Sequence, residues 1–133
     1  MRTVLLDTVG LIALWNEKDQ WHTAAKSAFG NLDPHSTRLV TTSYVLLECA
    51  NQAARWMYRN DVVRMREDLG LAGDLFEPTP SEIAQAWNEY GQGSAGSAGV
   101  VDLISFAIMR RLDITEAFTN DKHFSAAGFH VLF

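Results

Sequence analysis

Residues 1–15, Met-Arg-Thr-Val-Leu-Leu-Asp-Thr-Val-Gly-Leu-Ile-Ala-Leu-Trp, decide the fold class, because two periodicities meet there across a single acid. Residues 3–6 are a short apolar run of strand length. Leu11, Ile12, Leu14 and Trp15 recur at helical spacing and predict a helix over residues 9–15. Asp7 closes the run Val4-Leu5-Leu6 and so stands at the carboxyl end of a buried strand. A carboxylate in apolar surroundings is strongly disfavoured unless it is paired or coordinated. The first fifteen residues thus open a strand-to-helix unit and supply a first functional candidate.

The alternation continues outward. A second helix is expected to begin near Asp19. Residues 38–42 read as a strand, and Thr42-Ser43 is a natural N-cap for a helix that carries Glu48 and continues to about Arg59. Asn60-Asp61 would cap a further helix ending near Gly70 or Gly73, and residues 74–77 read as a third short strand. Thr79-Pro80-Ser81-Glu82 is the sharpest local signal: Thr79 as N-cap, proline at the first helical position and Glu82 closing a capping box, with the helix running to about Tyr90. Residues 91–99, Gly-Gln-Gly-Ser-Ala-Gly-Ser-Ala-Gly, have no apolar periodicity and predict a mobile loop leading straight to Asp102. A helix over 100–111, a strand over 114–119, a turn or short helix over 121–127 and a last strand over 129–132 complete the chain. No internal repeat is visible. Strands separated by helices predict an α/β domain whose sheet, of four to five strands, is mainly parallel. Ligands of such sheets gather at the carboxyl ends of the strands, where Asp7 and Asp121 would stand.

The 133 residues are enough for one domain over 1–133 with a real core, and too few for two comfortable ones. No segment reaches the ~20 apolar residues of a membrane helix, so no membrane partner is expected. The apolar stretch after Arg2 meets Asp7 almost at once, without the h-region and cleavage site of a signal peptide, so a cytoplasmic protein is expected. Cys49 is the sole cysteine, which excludes an intrachain disulfide and a multi-thiolate metal site; it is expected to be a small core residue. The net charge of −5 argues against a simple basic nucleic-acid sleeve but not against a nuclease, since an acid cluster that recruits cations would contribute most of it.

Three further acids repeat the anomaly of Asp7. Glu48 follows Val45-Leu46-Leu47, Asp102 splits Val100-Val101 from Leu103-Ile104, and Asp121 comes two residues after the expected strand. Asp7 and Asp121 follow different strands, whereas Glu48 and Asp102 lie near the starts of different helices, so all four can converge on one edge of the sheet. Converging carboxylates repel one another, and hard divalent cations that prefer oxygen ligands, Mg²⁺ or Mn²⁺, answer that repulsion. Such ions activate a water and neutralise charge on the exchanging oxygens of a phosphodiester, which makes phosphodiester hydrolysis the natural chemistry.

Leu-Leu-Asp-Thr at 5–8, Thr-Thr-Ser-Tyr-Val-Leu-Leu-Glu at 41–48, Val-Val-Asp-Leu-Ile-Ser-Phe-Ala-Ile-Met-Arg-Arg at 100–111 and Ala-Phe-Thr-Asn-Asp-Lys-His-Phe at 117–124 together resemble the PIN domain. Within that family they are most similar to the VapC-type toxin ribonucleases of bacterial and archaeal toxin–antitoxin pairs. The likeness covers essentially the whole chain, in the right order and spacing. It implies a three-layer α/β/α domain and a metal-dependent endoribonuclease. In that enzyme Asp7, Glu48, Asp102 and Asp121 bind Mg²⁺ or Mn²⁺, with Thr119 a polar helper. The expected reaction is in-line attack of a cation-activated water on RNA, leaving a 5′-phosphate and a 3′-hydroxyl. The likeness also implies a homodimer and a cognate antitoxin that inserts a basic residue among the acids, which four exposed carboxylates would favour. Thr8 and Ser105 match positions where the family often has a hydroxyl; read alone, Thr8 is an N-cap and Ser105 a helix-surface or packing residue. The loop departs from the pattern. Family members often carry charged or aromatic residues just before the third acid, so this Gly-Ser-Ala stretch is expected to order only on RNA or a partner.

Two rival readings need the same acids. A phosphatase or phosphotransferase would use Asp7 as covalent nucleophile, but that chemistry usually has a second acid two residues on, where this chain has Val9. A non-catalytic PIN-like module would use the acids only to bind a basic peptide, although the presence of all four argues against a decayed site. Weaker signals point to structure more than function. Arg55, Arg59 and Arg66 would form a phosphate-facing stripe on one continuous helix but read as a solvated surface if Asn60-Asp61 breaks it. Arg110, Arg111, Lys122 and His123 lie near the last two acids, where they could grip phosphates, but Arg110 and Arg111 equally complement a helix dipole. His22 and His123 read as hydrogen-bonded structural residues. Trp15, Trp21, Trp56 and Trp87 read mostly as core or interface, not as RNA-stacking platforms.

Overall fold

The structure is a computed structural model that describes residues 1–53 and 57–133. Strand β1 (Arg2–Leu6) lies at the centre because its last three residues are apolar on both sides. Val4 and Leu6 pack with Leu11, Val45 and Phe118 on one face, and Leu5 packs with Val40, Ile104, Ala117 and Phe124 on the other. This is the period-two alternation of a strand buried between two layers. Helices α1 (Thr8–Trp15), α2 (His22–Gly30), α3 (Ser43–Ala53) and α4 (Arg59–Ala72) cover the first face, and α5 (Pro80–Gln92), α6 (Val100–Arg111) and α7 (Lys122–Ala126) the second. The three-layer α/β/α expectation holds.

Strands β2 (Thr37–Thr42), β3 (Leu75–Phe76), β4 (Glu116–Phe118) and β5 (His130–Val131) complete a five-stranded sheet of order β3-β2-β1-β4-β5, parallel throughout. The chain lays β2 and then β3 on one side of β1 and returns to place β4 on the other. A topological switch point therefore opens between β1 and β4, and their carboxyl ends flank the kind of crevice that binds ligands in open α/β sheets.

The element boundaries differ from expectation in instructive ways. Helix α1 starts at Thr8, one residue early, because Asp7 caps it. Asp19 precedes α2, its carboxylate accepting the Trp21 N–H at 2.8 Å. Helix α3 is described to Ala53, and its expected extension crosses residues 54–56, so Arg55 and Trp56 lie outside the described residues. Asn60-Asp61 does not cap α4: that helix begins at Arg59 after Tyr58, whose side chain makes no capping bond. The capping box at Thr79 and Glu82 forms as expected, with bonds of 3.1 and 2.8 Å, and α6 spans the predicted residues. The 91–99 stretch is not a free coil. Helix α5 continues to Gln92, Gly93 ends it in the left-handed region, and a second turn at Gly96 carries the chain to the buried Ala98.

Candidate active site

Asp7 follows β1 and is almost completely buried. Its Oδ2 accepts the Val9 N–H at 3.4 Å and the Thr119 hydroxyl at 2.8 Å. Thr119 lies just past β4, fully buried, and its Oγ1 in turn accepts the Asp121 N–H at 3.1 Å. One hydroxyl thus ties the acid after β1 to the backbone of the acid after β4. Glu48, half-buried on α3, accepts the Thr8 hydroxyl at 2.7 Å. Thr8 is therefore not the cap of α1; Asp7 takes that role and frees Thr8 to orient Glu48. Asp102, in the first turn of α6, accepts the Gly99 N–H at 3.3 Å. Asp121 caps α7, its Oδ1 accepting both the backbone N–H of His123 at 2.9 Å and the ring Nδ1 at 2.8 Å.

The electrostatics show how close these acids are. Burial first, then the nearby Asp102 and Asp121, push the Asp7 carboxyl up to about 7 against the opposing bond from Thr119. Burial, Asp121 and Glu48 push Asp102 up to about 6. All four acids thus feel at least one of the others. Among the described residues no lysine or arginine bonds any of them, and the base in bonding contact is the His123 ring on Asp121, so four carboxylates share a single imidazole and the cluster is suited to accept a cation. One potential ligand atom each from Asp102, Asp121 and His123 lies within 4.8 Å of the others. Such a carboxylate-rich set, short of a cation, suits a hard divalent ion. The acids are less exposed than the sequence suggested: Asp7 is buried and only Glu48, Asp102 and Asp121 are partly accessible. That burial also leaves Asp7 poorly placed as a covalent nucleophile.

His123 is hydrogen-bonded, as expected, and the structure adds its place inside the acid cluster, where it bonds Asp121 with one ring nitrogen and Ser97 with the other, at 2.7 Å. The available signal was its place two residues after a helix-capping aspartate. His22 is structural as expected, its Nδ1 bonding the Ala13 carbonyl at 2.9 Å. Arg111 pairs with Glu82 and donates to the Glu77 carbonyl, and Arg110 lies over the rings of Phe106 and Phe129, so both brace the fold. Cys49 is buried and its thiol is pushed up to about 12 by burial, Asp7 and Glu48, which makes it inert. Trp15 stacks at a tilt on Tyr58, whereas Trp21 and Trp87 are exposed, which takes them out of the core half of the core-or-interface expectation.

Ser105, one turn after Asp102, is fully buried and its Oγ has no hydrogen-bond partner among the described residues. An unpartnered buried hydroxyl costs stability. Ser105→Ala is therefore expected to leave the unfolding free energy unchanged or raise it by up to ~1 kcal/mol in urea titration. A loss larger than that would mean the hydroxyl has a partner in solution.

The comparisons with known proteins give the family and the fold. The PIN domain family model matches residues 4–130. The chain is 31% identical over 134 aligned positions to the 23S rRNA-specific endonuclease VapC20 of Mycobacterium tuberculosis, with 95% of each chain covered. The crystal structure of that protein, described as a sarcin-ricin-loop-cleaving toxin, superposes with a TM-score of 0.78 at 28% identity over 95% of both chains. FitAcB from Neisseria gonorrhoeae gives a TM-score of 0.64 at 18% identity, covering 98% of this chain and 96% of that one, a likeness of fold alone.

Proposed function

The chain belongs to the PIN domain family, and from that premise we propose that it is a divalent-metal-dependent endoribonuclease, the toxin of a toxin–antitoxin pair. The observation that supports this most directly is the convergence of Asp7, Glu48, Asp102 and Asp121 at the β1–β4 switch point with no lysine or arginine bonded to them among the described residues. Glu48, Asp102 and Asp121 would hold the cation at the accessible side of the cluster, with Asp7 behind them. Bound there, Mg²⁺ or Mn²⁺ supplies an activated water and neutralises charge on the phosphodiester oxygens. The chain's own groups do the rest. The Thr119 hydroxyl fixes the rotamer of Asp7, Thr8 fixes that of Glu48, and the buried layer behind them keeps bulk water from screening the cluster.

RNA is the proposed substrate, and the sarcin-ricin loop of 23S rRNA is the first defined target to try, since VapC20 is described as acting there. The proposed partners are an antitoxin and a second copy of the chain. An apolar groove on the outer side of the Glu48 helix, lined by Leu46, Leu47, Ala50, Val62 and Val63, offers a surface for such contacts. Among the described residues no helix is long and apolar enough to cross a membrane.

Purified protein free of partners is expected to cut ribosomal RNA in Mg²⁺ or Mn²⁺, leaving 5′-phosphate ends, and to stop when EDTA removes the ion. RNA left intact with either metal would favour the binding-module reading; cleavage undiminished by EDTA would remove the cation from the chemistry.

A further inference from the structure

We infer that His123 is a positioning residue that anchors the Gly-rich turn before α6 to the acid cluster, with Ser97 as the anchor point on the turn. This rests on the proposed metal site and adds a role that the four acids do not supply. The ring of His123 is spanned at both ends: Ser97 Oγ lies 2.7 Å from Nε2 and Asp121 Oδ1 lies 2.8 Å from Nδ1. A neutral ring satisfies both bonds in one tautomer, with Nδ1–H donating to Asp121 and Nε2 accepting the Ser97 hydroxyl. Both bonds from His123, backbone and ring, fall on Oδ1 of Asp121, so the carboxylate is turned with Oδ2 away from α7. Two residues past Ser97, Gly99 donates its N–H to Asp102. The end of the turn is therefore tied to both Asp102 and Asp121.

The composition of the turn makes the Ser97 bond matter. Residues 93–97 are small and exposed, and only Ala98 is buried, so little apolar contact holds the segment. Its internal bonds, Gly93 N–H to Tyr90 O, Ser94 N–H to Glu89 O and Gly96 N–H to Gly93 O, shape the turn without fixing it to the cluster. Within residues 93–97 the Ser97–His123 bond does that fixing, with the Gly99–Asp102 bond just beyond it. Groups that orient a ligating carboxylate in this way affect metal affinity without touching the ion.

Three variants of the full chain separate the links, read by Mn²⁺ binding in EPR without RNA and by amide exchange over residues 93–98. Ser97→Ala should speed exchange about fivefold to tenfold while changing Mn²⁺ affinity by less than about twofold. His123→Ala should speed exchange equally and weaken Mn²⁺ binding about 10-fold to 100-fold. His123→Asn, whose amide can take the place of Nδ1–H, should restore the Mn²⁺ affinity but not the slow exchange. Unchanged exchange in Ser97→Ala, or unchanged Mn²⁺ affinity in His123→Ala, overturns the assignment. Imidazole-nitrogen coupling in the Mn²⁺ spectrum also overturns it, by making His123 a ligand. Wild-type protein that binds no Mn²⁺ would sink the nuclease reading beneath it, while the exchange rates still decide the anchor.

Discussion

Asp7→Asn is expected to abolish RNA cleavage and, above pH 7, to make the metal-free protein more stable. The two effects have one origin. Asp7 is buried to 1% exposure among like charges, and its carboxyl is held up to about 7 from an ordinary value of 3.8. A carboxyl whose pKa is raised on folding binds its proton more tightly in the native state, so native protein gains stability as pH falls toward 4 and loses it as pH rises to about 7. At ~1.4 kcal/mol per pH unit, the distance from 3.8 to about 7 amounts to roughly 4 kcal/mol at full ionisation. Asparagine has nearly the same shape and no charge, and its carbonyl can still accept from Thr119 and Val9. Thermal midpoints measured without metal should therefore fall with pH in the wild type between pH 4 and 7. In the variant that slope should be roughly halved up to about pH 6 and nearly flat from there to 7, leaving mainly the contribution of Asp102, which is raised to about 6. A variant that keeps full cleavage would remove the quartet from the mechanism. One that loses cleavage and also loses stability at pH 8 would show that the acid is braced by a cation the chain itself supplies.

That prediction explains why so much of the site was legible in the sequence. An acid closing an apolar strand is conspicuous because its burial is costly, and each of the four stood out for that reason. The order of strands and helices was equally plain, since the strand segments at 3–6, 38–42 and 114–119 are short and the helical segments between them long. What the sequence concealed was set by contacts between residues far apart in the chain. Whether Thr8 caps α1 or orients Glu48 depends on a bond across 40 positions, and the placing of His123 on Ser97 depends on one across 26. Strand ends were overdrawn for a related reason: Ile114 is apolar and buried, but the ladder pairing of β4 with β1 begins only at Glu116. The Gly-rich stretch was legible as a loop, which residues 93–99 form, but not in its detail: residues 91 and 92 finish α5, and glycine at Gly93 and Gly96 supplies the left-handed backbone that folds the rest into successive turns.

Gly10→Ala should do the most damage of any single methyl group added to this protein. Gly10 sits in the first turn of α1 directly against the end of β4. A Cβ there would lie 2.0 Å from the Phe118 carbonyl oxygen and 2.7 Å from its carbon. Both are backbone atoms of a central strand, so no rotamer change relieves the clash and α1 must lift away from the sheet. The lift strains three links at once: the Asp7 N–H to Phe118 O contact at 3.4 Å, the Thr119–Asp7 bond and, through Thr8, the Glu48 bond. Overpacking of a close-packed interior costs about 1–3 kcal/mol and sometimes more, against a gain of up to ~1 kcal/mol from replacing a helical glycine. The net expectation is a loss of ~2 kcal/mol or greater in urea unfolding, with cleavage reduced beyond what the unfolded fraction explains, because the acids shift even in folded molecules. Gly70→Ala is the matched control. Gly70 is also helical, on exposed α4, and a Cβ there meets nothing within 4 Å, so that variant should gain about 0.5–1 kcal/mol. If both alanines stabilise alike, α1 does not rest on β4 as closely as the 2.0 Å approach requires, and the route by which β1 and β4 bring Asp7 and Asp121 together would have to be redrawn.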